Sequence, residues 1–251
     1  MIKLILCGCS GQMGKVIIDQ VNEMDNFKIV AGMDRSEEQN YDFPVFNDIN
    51  DFDGEADAII DFSNPSTLPK LLKYSTEKNV PLVVASTGYS YEEIKNIEEA
   101  SKKVAILYSG NMSLGINVLL SLVKKAASAL EGFDIEVIEK HHNKKVDSPS
   151  GTAYMIASAI NEEFNNEKEF VYGRYGNDTK RQPKEIGIHA VRGGSIVGEH
   201  SVIFAGIDEI VEIKHTAMSK KIFAVGSINA AKFIADKEPR LYSMDDLFKE
   251  V

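Results

Sequence analysis

Cysteine is scarce in this chain, with two among 251 residues. Cys7 and Cys9 sit two positions apart at the end of the first apolar run, too close in an extended chain to bridge without distortion. A structural disulfide is disfavoured, and a reducing, cytoplasmic setting is expected. Basic residues are in deficit, 28 Lys and Arg against 38 Asp and Glu, giving a net charge of −10. That argues against nonspecific binding to nucleic acid or to an anionic membrane, both of which draw on clustered Lys and Arg. Any anion bound here has to meet a local positive site. No apolar run approaches the roughly 18–20 residues that cross a membrane. The stretch Met1–Leu6 is apolar but short, contains Lys3 and runs into glycines, so it lacks the layout of a signal peptide.

What is present suits a globular protein: 43% hydrophobic residues, with 12 Phe and 9 Tyr to fill a core. The length fits one large domain or two ordinary ones. Through the first hundred residues, short β-branched runs alternate with helical segments: Lys3–Leu6, Lys28–Ala31, Ala58–Phe62, Leu82–Ala85 and Val104–Leu107. Near-continuous apolar strands are buried on both faces, which predicts a parallel sheet between helix layers. Asn64 before Pro65, and the capping box Ser90-Tyr91-Glu92-Glu93, mark helix starts.

From Ser113 the pattern changes. A long helix to about Leu130 is followed by alternating strands at Asp134–His141, Ile186–Arg192, Ser195–Phe204 and Ile210–Thr216. The last three are joined by Gly193-Gly194 and by Gly206-Ile207-Asp208-Glu209, and such glycine turns predict antiparallel neighbours. The polar stretch Asn165–Glu185, with Gly173, Gly176 and Pro183, reads as a mobile loop. A final helix, about Lys221–Asp236, carries Ile222, Phe223, Val225, Phe233 and Ile234 for packing back on the first unit. No internal repeat or low-complexity tract is found. The expected architecture is α/β: a Rossmann-like, doubly wound parallel sheet over residues 1–112 and 219–251, interrupted by an inserted α+β domain over 113–218.

Gly8-Cys9-Ser10-Gly11-Gln12-Met13-Gly14 lies between the first strand and a helix expected near Lys15. Glycines there permit a tight turn and close backbone approach, so that a pyrophosphate can rest on the helix N-terminus. Asp34 follows Gly14 by 20 residues, at the end of the second strand, where a carboxylate accepts hydrogen bonds from a ribose diol. A plain strand-to-helix turn is the competing reading of the glycines alone; the order strand, glycines, helix, strand, Asp favours a dinucleotide. Arg35 is either a solvated charge or a partner for a 2′-phosphate, which keeps both NADH and NADPH open.

After the strand at 134–140 comes His141-His142-Asn143-Lys144-Lys145-Val146-Asp147-Ser148-Pro149-Ser150-Gly151-Thr152-Ala153, then a helix to about Phe164. Two of five histidines and two lysines fall within five residues, supplying the positive patch an anion needs. Ser150-Gly151-Thr152 offers backbone N–H groups and hydroxyls suited to a carboxylate. Three readings compete. Metal binding needs converging ligands, whereas adjacent histidines on an extended chain point to opposite sides, and no Cys or carboxylate spacing supports it. A plain surface loop with a helix cap is the second. The third is proton transfer: His titrates near neutral pH, and Lys reaches that range when desolvated or crowded by other cations.

These residues resemble, over essentially the whole chain, the 4-hydroxy-tetrahydrodipicolinate reductase (dihydrodipicolinate reductase) family. The resemblance rests on Met13-Gly14 in the glycine loop, Asp61-Phe62-Ser63 with Pro65, Ser86-Thr87-Gly88, Asn111-Met112-Ser113 with Gly115 and Asn117, and Glu139-Lys140-His141-His142 through Lys145 to Pro149-Ser150-Gly151-Thr152-Ala153. It continues in Arg192-Gly193-Gly194, Ile196-Val197-Gly198-Glu199-His200 and His215-Thr216-Ala217. The resemblance implies NADH- or NADPH-dependent reduction of a small cyclic dicarboxylate in lysine and diaminopimelate biosynthesis, with no metal. It implies that His141 and Lys145 donate the proton and that His142, Gly151 and Thr152 hold the substrate. Gly8, Cys9, Ser10, Gly11, Gln12, Met13, Asp34, Arg35, Ala85, Ser86, Thr87, Ser109, Gly110, Asn111 and Met112 would line the cofactor. Tetramers formed through the second domain's sheet are implied as well.

Two residues depart from the family pattern. Gln12 replaces a usually basic residue, which tilts toward NADH or dual use, and Ala85-Ser86 replaces a common Gly-Thr pair. Another NAD(P)-dependent oxidoreductase acting on a small carboxylate is the alternative, but acyl chemistry would want a Cys near the nicotinamide, and both cysteines lie at the phosphate loop. A nucleotide-sensing regulator would need a basic DNA-reading helix, which is lacking.

Overall fold

The computed structural model describes residues 1–35 and 41–249. The chain divides into two compact units, Met1–Leu114 with Lys220 onward, and Gly115–Ser219. In chain order the elements are β1 (Ile2–Cys7), α1 (Gln12–Asn22), β2 (Phe27–Met33), β3 (Val45–Phe46), β4 (Ala58–Asp61), α2 (Leu68–Lys78), β5 (Leu82–Val84), α3 (Tyr91–Ser101) and β6 (Ile106–Tyr108). Then come α4 (Leu114–Ala129), β7 (Asp134–His141), α5 (Gly151–Glu162), β8 (Glu169–Tyr172), β9 (Glu185–Arg192), β10 (Gly198–Ala205), β11 (Ile210–Ala217), α6 (Lys221–Ile234) and β12 (Leu241–Tyr242).

The first unit is a seven-stranded sheet in the order β12-β6-β5-β4-β1-β2-β3, parallel throughout. Read from β3, this is the doubly wound dinucleotide order with one strand added at the far edge. The strands are apolar on both sides because both sides are covered. Leu4, Leu6 and Ile60 pack against Ile17 of α1 and Ala224, Ile228 and Ala231 of α6. Ile5, Ile59 and Leu82 pack against Leu71 of α2 and Ile97 of α3 on the other face. The order reverses between β1 and β4, so the carboxyl ends of those strands form the crevice where such folds bind ligands. Ser90 caps α3 as a full capping box, with Glu93 accepting from the Ser90 N–H.

The second unit is a five-stranded sheet, β11-β10-β7-β9-β8. Helices α4 and α5 cover one face: Leu119, Val123, Ile156 and Ile160 close over Ile135, Val137, Ile188, Val202 and the fully buried Phe204. Two sequence expectations fail here. Strands β9 and β10 are not neighbours, because β7 lies between them, parallel to β9 and antiparallel to β10. The Gly193-Gly194 turn arches over the end of β7, donating from Gly193 N–H to the His141 carbonyl at 2.9 Å. The Gly206–Glu209 turn does join antiparallel neighbours, β10 and β11. Nor is Asn165–Glu185 a free loop. It contains β8, paired parallel to β9, and Arg181 ties it down through Asp134 at 2.5 Å and Glu136 at 3.0 Å. Among the described residues no helix is long and apolar enough to cross a membrane.

Removing the Phe204 ring should leave a cavity under both helices. Phe204→Ala is expected to lower stability by about 3–5 kcal/mol in urea unfolding followed by circular dichroism; a loss below about 1 kcal/mol would show that this core does not depend on it.

Candidate active site

The crevice of the first unit is built by the glycine loop. Gly11, in extended backbone, caps α1, so the helix begins at Gln12, three residues before the expected start. Gly8 has φ +79°, and a Cβ there would stand 2.7 Å from the Phe62 carbonyl oxygen. A Cβ on Gly14 would stand 2.3 Å from the Gly8 carbonyl oxygen. Only glycine lets the loop fold this tightly. No side chain caps α1 and no acidic residue occupies its first turn, which leaves the positive end of its dipole to an anion. Beside it opens a cleft of about 440 Å³ lined by Gly8, Ser10, Gly11, Asp34, Arg35 and, from the loop after β4, Ser63, Asn64 and Thr67.

Asp34 is organised for that cleft. One carboxylate oxygen accepts from Ser10 N–H at 2.9 Å and the other from Arg35 N–H at 2.7 Å, and each retains a lone pair for a ribose hydroxyl. Cys9 is buried and Met13 packs against the core, so their side chains face away from the cleft and only their backbone can serve a ligand. Ala85, Ser86 and Thr87 follow β5, and Ser109, Gly110, Asn111 and Met112 follow β6, at the same carboxyl edge. Ser109 Oγ donates to the Asn111 carbonyl at 2.9 Å and accepts from its N–H at 3.2 Å, which fixes that turn. The glycine cradle, bare helix end and ribose-facing carboxylate fit a dinucleotide.

Two residues were given no role in the sequence reading, although Asp61 was quoted among the motifs of the resemblance. Lys220, 208 positions away, donates to Gln12 Oε1 at 2.9 Å and so returns a cation to the loop position where the family's basic residue is missing. Asp61, fully buried at the end of β4, accepts from Ser63 N–H at 2.9 Å, from the Ser63 hydroxyl, and from the Tyr89 hydroxyl at 3.3 Å. It thereby joins the loops after β4 and β5. Burial pushes its carboxyl up despite those hydrogen bonds.

In the second unit the expected residues gather at one end of the sheet's covered face. Glu139, with no exposed surface, receives Arg192 bidentately at 2.7 Å on each oxygen. The same carboxylate contacts His141 Nδ1 at 2.6 Å and accepts from Ser150 N–H at 2.9 Å. Burial alone would raise the Glu139 carboxyl; the bonds from Arg192, His141 and Ser150 outweigh it and hold it below its usual value. Ser150 is the N-cap of α5, its hydroxyl accepting from Ala153 N–H at 3.1 Å. That hydroxyl also meets Nε2 of His200 at 3.0 Å. His200 lies edge-on to His141 with ring centroids 5.3 Å apart. Burial first, and the neighbouring His141 second, pull His200 down to about 4, so it is neutral at physiological pH.

Gly151 and Thr152 form the first turn of α5, and His142 keeps a buried Nδ1 with no hydrogen-bond partner among the described residues. Lys145 is not simply crowded by cations as its neighbours suggest, because its ammonium lies 2.7 Å from Asp147. Glu139, Arg192 and His200 belong to the motifs that carry the resemblance, but the sequence reading assigned them no role; Ser150, read there as part of a carboxylate-binding helix start, also bonds Glu139 and His200. Among the described residues no group of three or more His, Cys, Asp or Glu is arranged to hold a metal ion.

This fold and loop define a Rossmann-type oxidoreductase with an inserted α+β unit. A probable dehydrogenase from Thermotoga maritima shares the fold at TM-score 0.64 and 11% identity, over 98% of this chain and 92% of that one. The chain belongs to the dihydrodipicolinate reductase family, whose N-terminal model matches residues 2–112 and whose C-terminal model matches 115–248; its members are NAD(P)H-dependent oxidoreductases. The 4-hydroxy-tetrahydrodipicolinate reductase of Caldanaerobacter subterraneus subsp. tengcongensis is 54% identical over 250 residues, covering 100% of this chain and 99% of that one. That of Clostridium tetani is 51% identical over 246 residues, covering 98% and 96%. A dipicolinate-bound dihydrodipicolinate reductase from Paenisporosarcina sp. TG-14 shares the fold at TM-score 0.83 and 22% identity, covering 97% of each chain.

The buried imidazole sets a pH dependence. Between about 4 and 6.5 the folded state binds fewer protons at His200 than the unfolded chain, so stability is complete above 6.5 and falls as pH drops toward 4. The loss from this group is on the order of 3 kcal/mol, and Glu139, held low, adds to it in more acid solution. Urea titrations at a series of pH values should show this slope, and His200→Gln should flatten it; an equal slope in the variant would assign the loss elsewhere.

Proposed function

We propose that the chain reduces 4-hydroxy-tetrahydrodipicolinate to tetrahydrodipicolinate with NADH or NADPH, a step of lysine and diaminopimelate biosynthesis. One observation carries the assignment of roles: His141 is bonded to a buried carboxylate that also holds the first turn of α5. The cofactor, when bound, supplies a hydride. The backbone of Gly8, Cys9, Ser10, Gly11, Gln12 and Met13 would hold its pyrophosphate, Asp34 its adenosine ribose and Arg35 a 2′-phosphate. The turns Ala85–Thr87 and Ser109–Met112 would flank the nicotinamide.

The substrate is a dianion, and the second unit offers it N–H groups at Gly151 and Thr152, the Thr152 hydroxyl and the buried imidazole nitrogen of His142. The 4-hydroxyl leaves as water together with one ring proton, and the conjugated ring that then accepts the hydride must take up one proton, so that hydride and proton in balance water out. His141 with Nδ1–H directed to Glu139 presents Nε2–H as the donor. Lys145 is the second candidate donor, and its ammonium also screens the substrate's charge. The same reading includes a cytoplasmic setting, consistent with two buried free thiols, and no nucleic-acid or membrane partner. It includes a homotetramer assembled through the second sheet's uncovered face, where Val191 and Ile210 are exposed.

The purified protein should oxidise NADH or NADPH, read as loss of absorbance, when freshly made hydroxy-tetrahydrodipicolinate is added; no turnover with either cofactor would sink the reading. His141→Gln is expected to lower kcat by about 10²-fold or more, while cofactor affinity measured by fluorescence stays within about twofold. An unchanged kcat would remove His141 from the chemistry. Arg35→Ala should reduce kcat/KM with NADPH far more than with NADH, and equal effects would place the 2′-phosphate elsewhere.

A further inference from the structure

Strand β7 carries an inward row of Ile135, Val137, Glu139 and His141, of which the first three are buried. A glutamate in phase with a hydrophobic stripe is costly unless its charge is met. Here it is met three ways. Arg192, opposite His141 on β9, closes a bidentate pair at 2.7 Å. His141 Nδ1 takes one oxygen at 2.6 Å. Ser150 N–H takes the other at 2.9 Å. On the third side, β10 sets His200 opposite Glu139, and His200 Nε2 meets the Ser150 hydroxyl at 3.0 Å.

We propose that the buried Glu139, with the half-buried Arg192 as its counter-ion, is a positioning residue that fixes both the tautomer of His141 and the first turn of α5 through one carboxylate. The inference rests on the proton-donor and carboxylate-cradle roles proposed above. An ionised carboxylate accepts only, so the nitrogen facing Glu139 must carry a proton and Nε2 becomes the outward atom. The second oxygen ties the start of α5 to the same rigid strand. Proton donor and carboxylate cradle are therefore indexed to a single point rather than to a flexible loop. Arg192 is itself fixed by the carbonyls of Val191 and Asp147, each at 2.8 Å. The charged and titratable groups around Glu139 are thus Arg192 from β9, His141 from β7, His200 from β10 and the Lys145–Asp147 pair from the segment before α5.

Two measurements test this. In the native, ligand-free protein, ¹⁵N imidazole spectra should show His141 protonated at Nδ1; a bare Nδ1 would overturn the proposal whatever the kinetics. In Glu139→Gln, kcat is expected to fall about 10- to 100-fold, the substrate KM to rise, and the ¹⁵N spectrum to show His141 in both tautomers, because a carboxamide can donate as well as accept. The affinity for NADH, measured directly, should stay within about twofold. A variant that keeps His141 wholly in the Nδ1–H form with normal kcat would overturn the proposal. If Glu139→Gln fails to fold, Glu139→Gln with Arg192→Met removes the orphaned charge and is read in the same way. Should His141→Gln retain full kcat while the native spectrum still shows Nδ1–H, the proton-donor reading fails and the positioning geometry stands.

Discussion

The second unit depends on a carboxylate buried where a hydrophobic residue would cost less, paired with a half-buried guanidinium. Withdrawing the carboxylate fully and the guanidinium partly from water is repaid by their mutual attraction only with good geometry and satisfied donors. Glu139 and Arg192 meet the first condition with a fork-to-fork pair at 2.7 Å on each arm. They meet the second nearly completely: among the described residues, Arg192 Nε is the pair's one nitrogen or oxygen without a partner. Stability does not explain such a pair, because well-packed apolar replacements of buried ion pairs are often neutral or stabilising. What the pair supplies is direction: an anion of known position on the most central strand of the sheet.

That direction comes from topology. With β7 placed between β9 and β10, Arg192 and His200 approach Glu139 and its neighbours from opposite sides. Had β9 and β10 formed the hairpin suggested by Gly193-Gly194, arginine and imidazole would adjoin each other and the carboxylate would lie beyond them. The crossing of that turn over the end of β7 is therefore part of how the site is assembled.

Much of this is legible in the sequence, and the limits have physical causes. The parallel sheet is readable because strands buried on both faces are apolar without alternation, as in Ala58-Ile59-Ile60, and the glycine loop because its backbone tolerates no Cβ. His141, His142 and Lys145 stand out as clustered bases in an acidic chain. Strand order in the second unit is not legible, since a glycine turn gives chain reversal but not which strand lies alongside. Lys220 beside Gln12 is a contact across 208 positions that no local pattern encodes. Glu139 does leave a signal, as do Arg192 and His200: each continues the inward phase of its strand, after Ile135 and Val137, after Ile186 and Ile188, and before Val202 and Phe204. A charge or imidazole in phase with a buried stripe marks a site more specifically than a charge on an exposed loop.

The two units handle a buried carboxylate in opposite ways, and the difference lies in the basic side chains that meet it, Arg192 first and His141 second. Asp61 and Glu139 both sit near the carboxyl end of a central strand and both gather neighbouring segments, Asp61 through the Ser63 N–H and two hydroxyls, Glu139 through the Ser150 N–H. Asp61 has only neutral donors, so desolvation prevails and its carboxyl titrates above the ordinary range. Glu139 has Arg192 as well, and its carboxyl titrates below that range. The distinction suits their surroundings. The loops after β4 and β5 need only to be held in place, which neutral hydrogen bonds accomplish. Beside His141 the acceptor must remain an anion, because only an acceptor without a proton of its own dictates which imidazole nitrogen carries hydrogen.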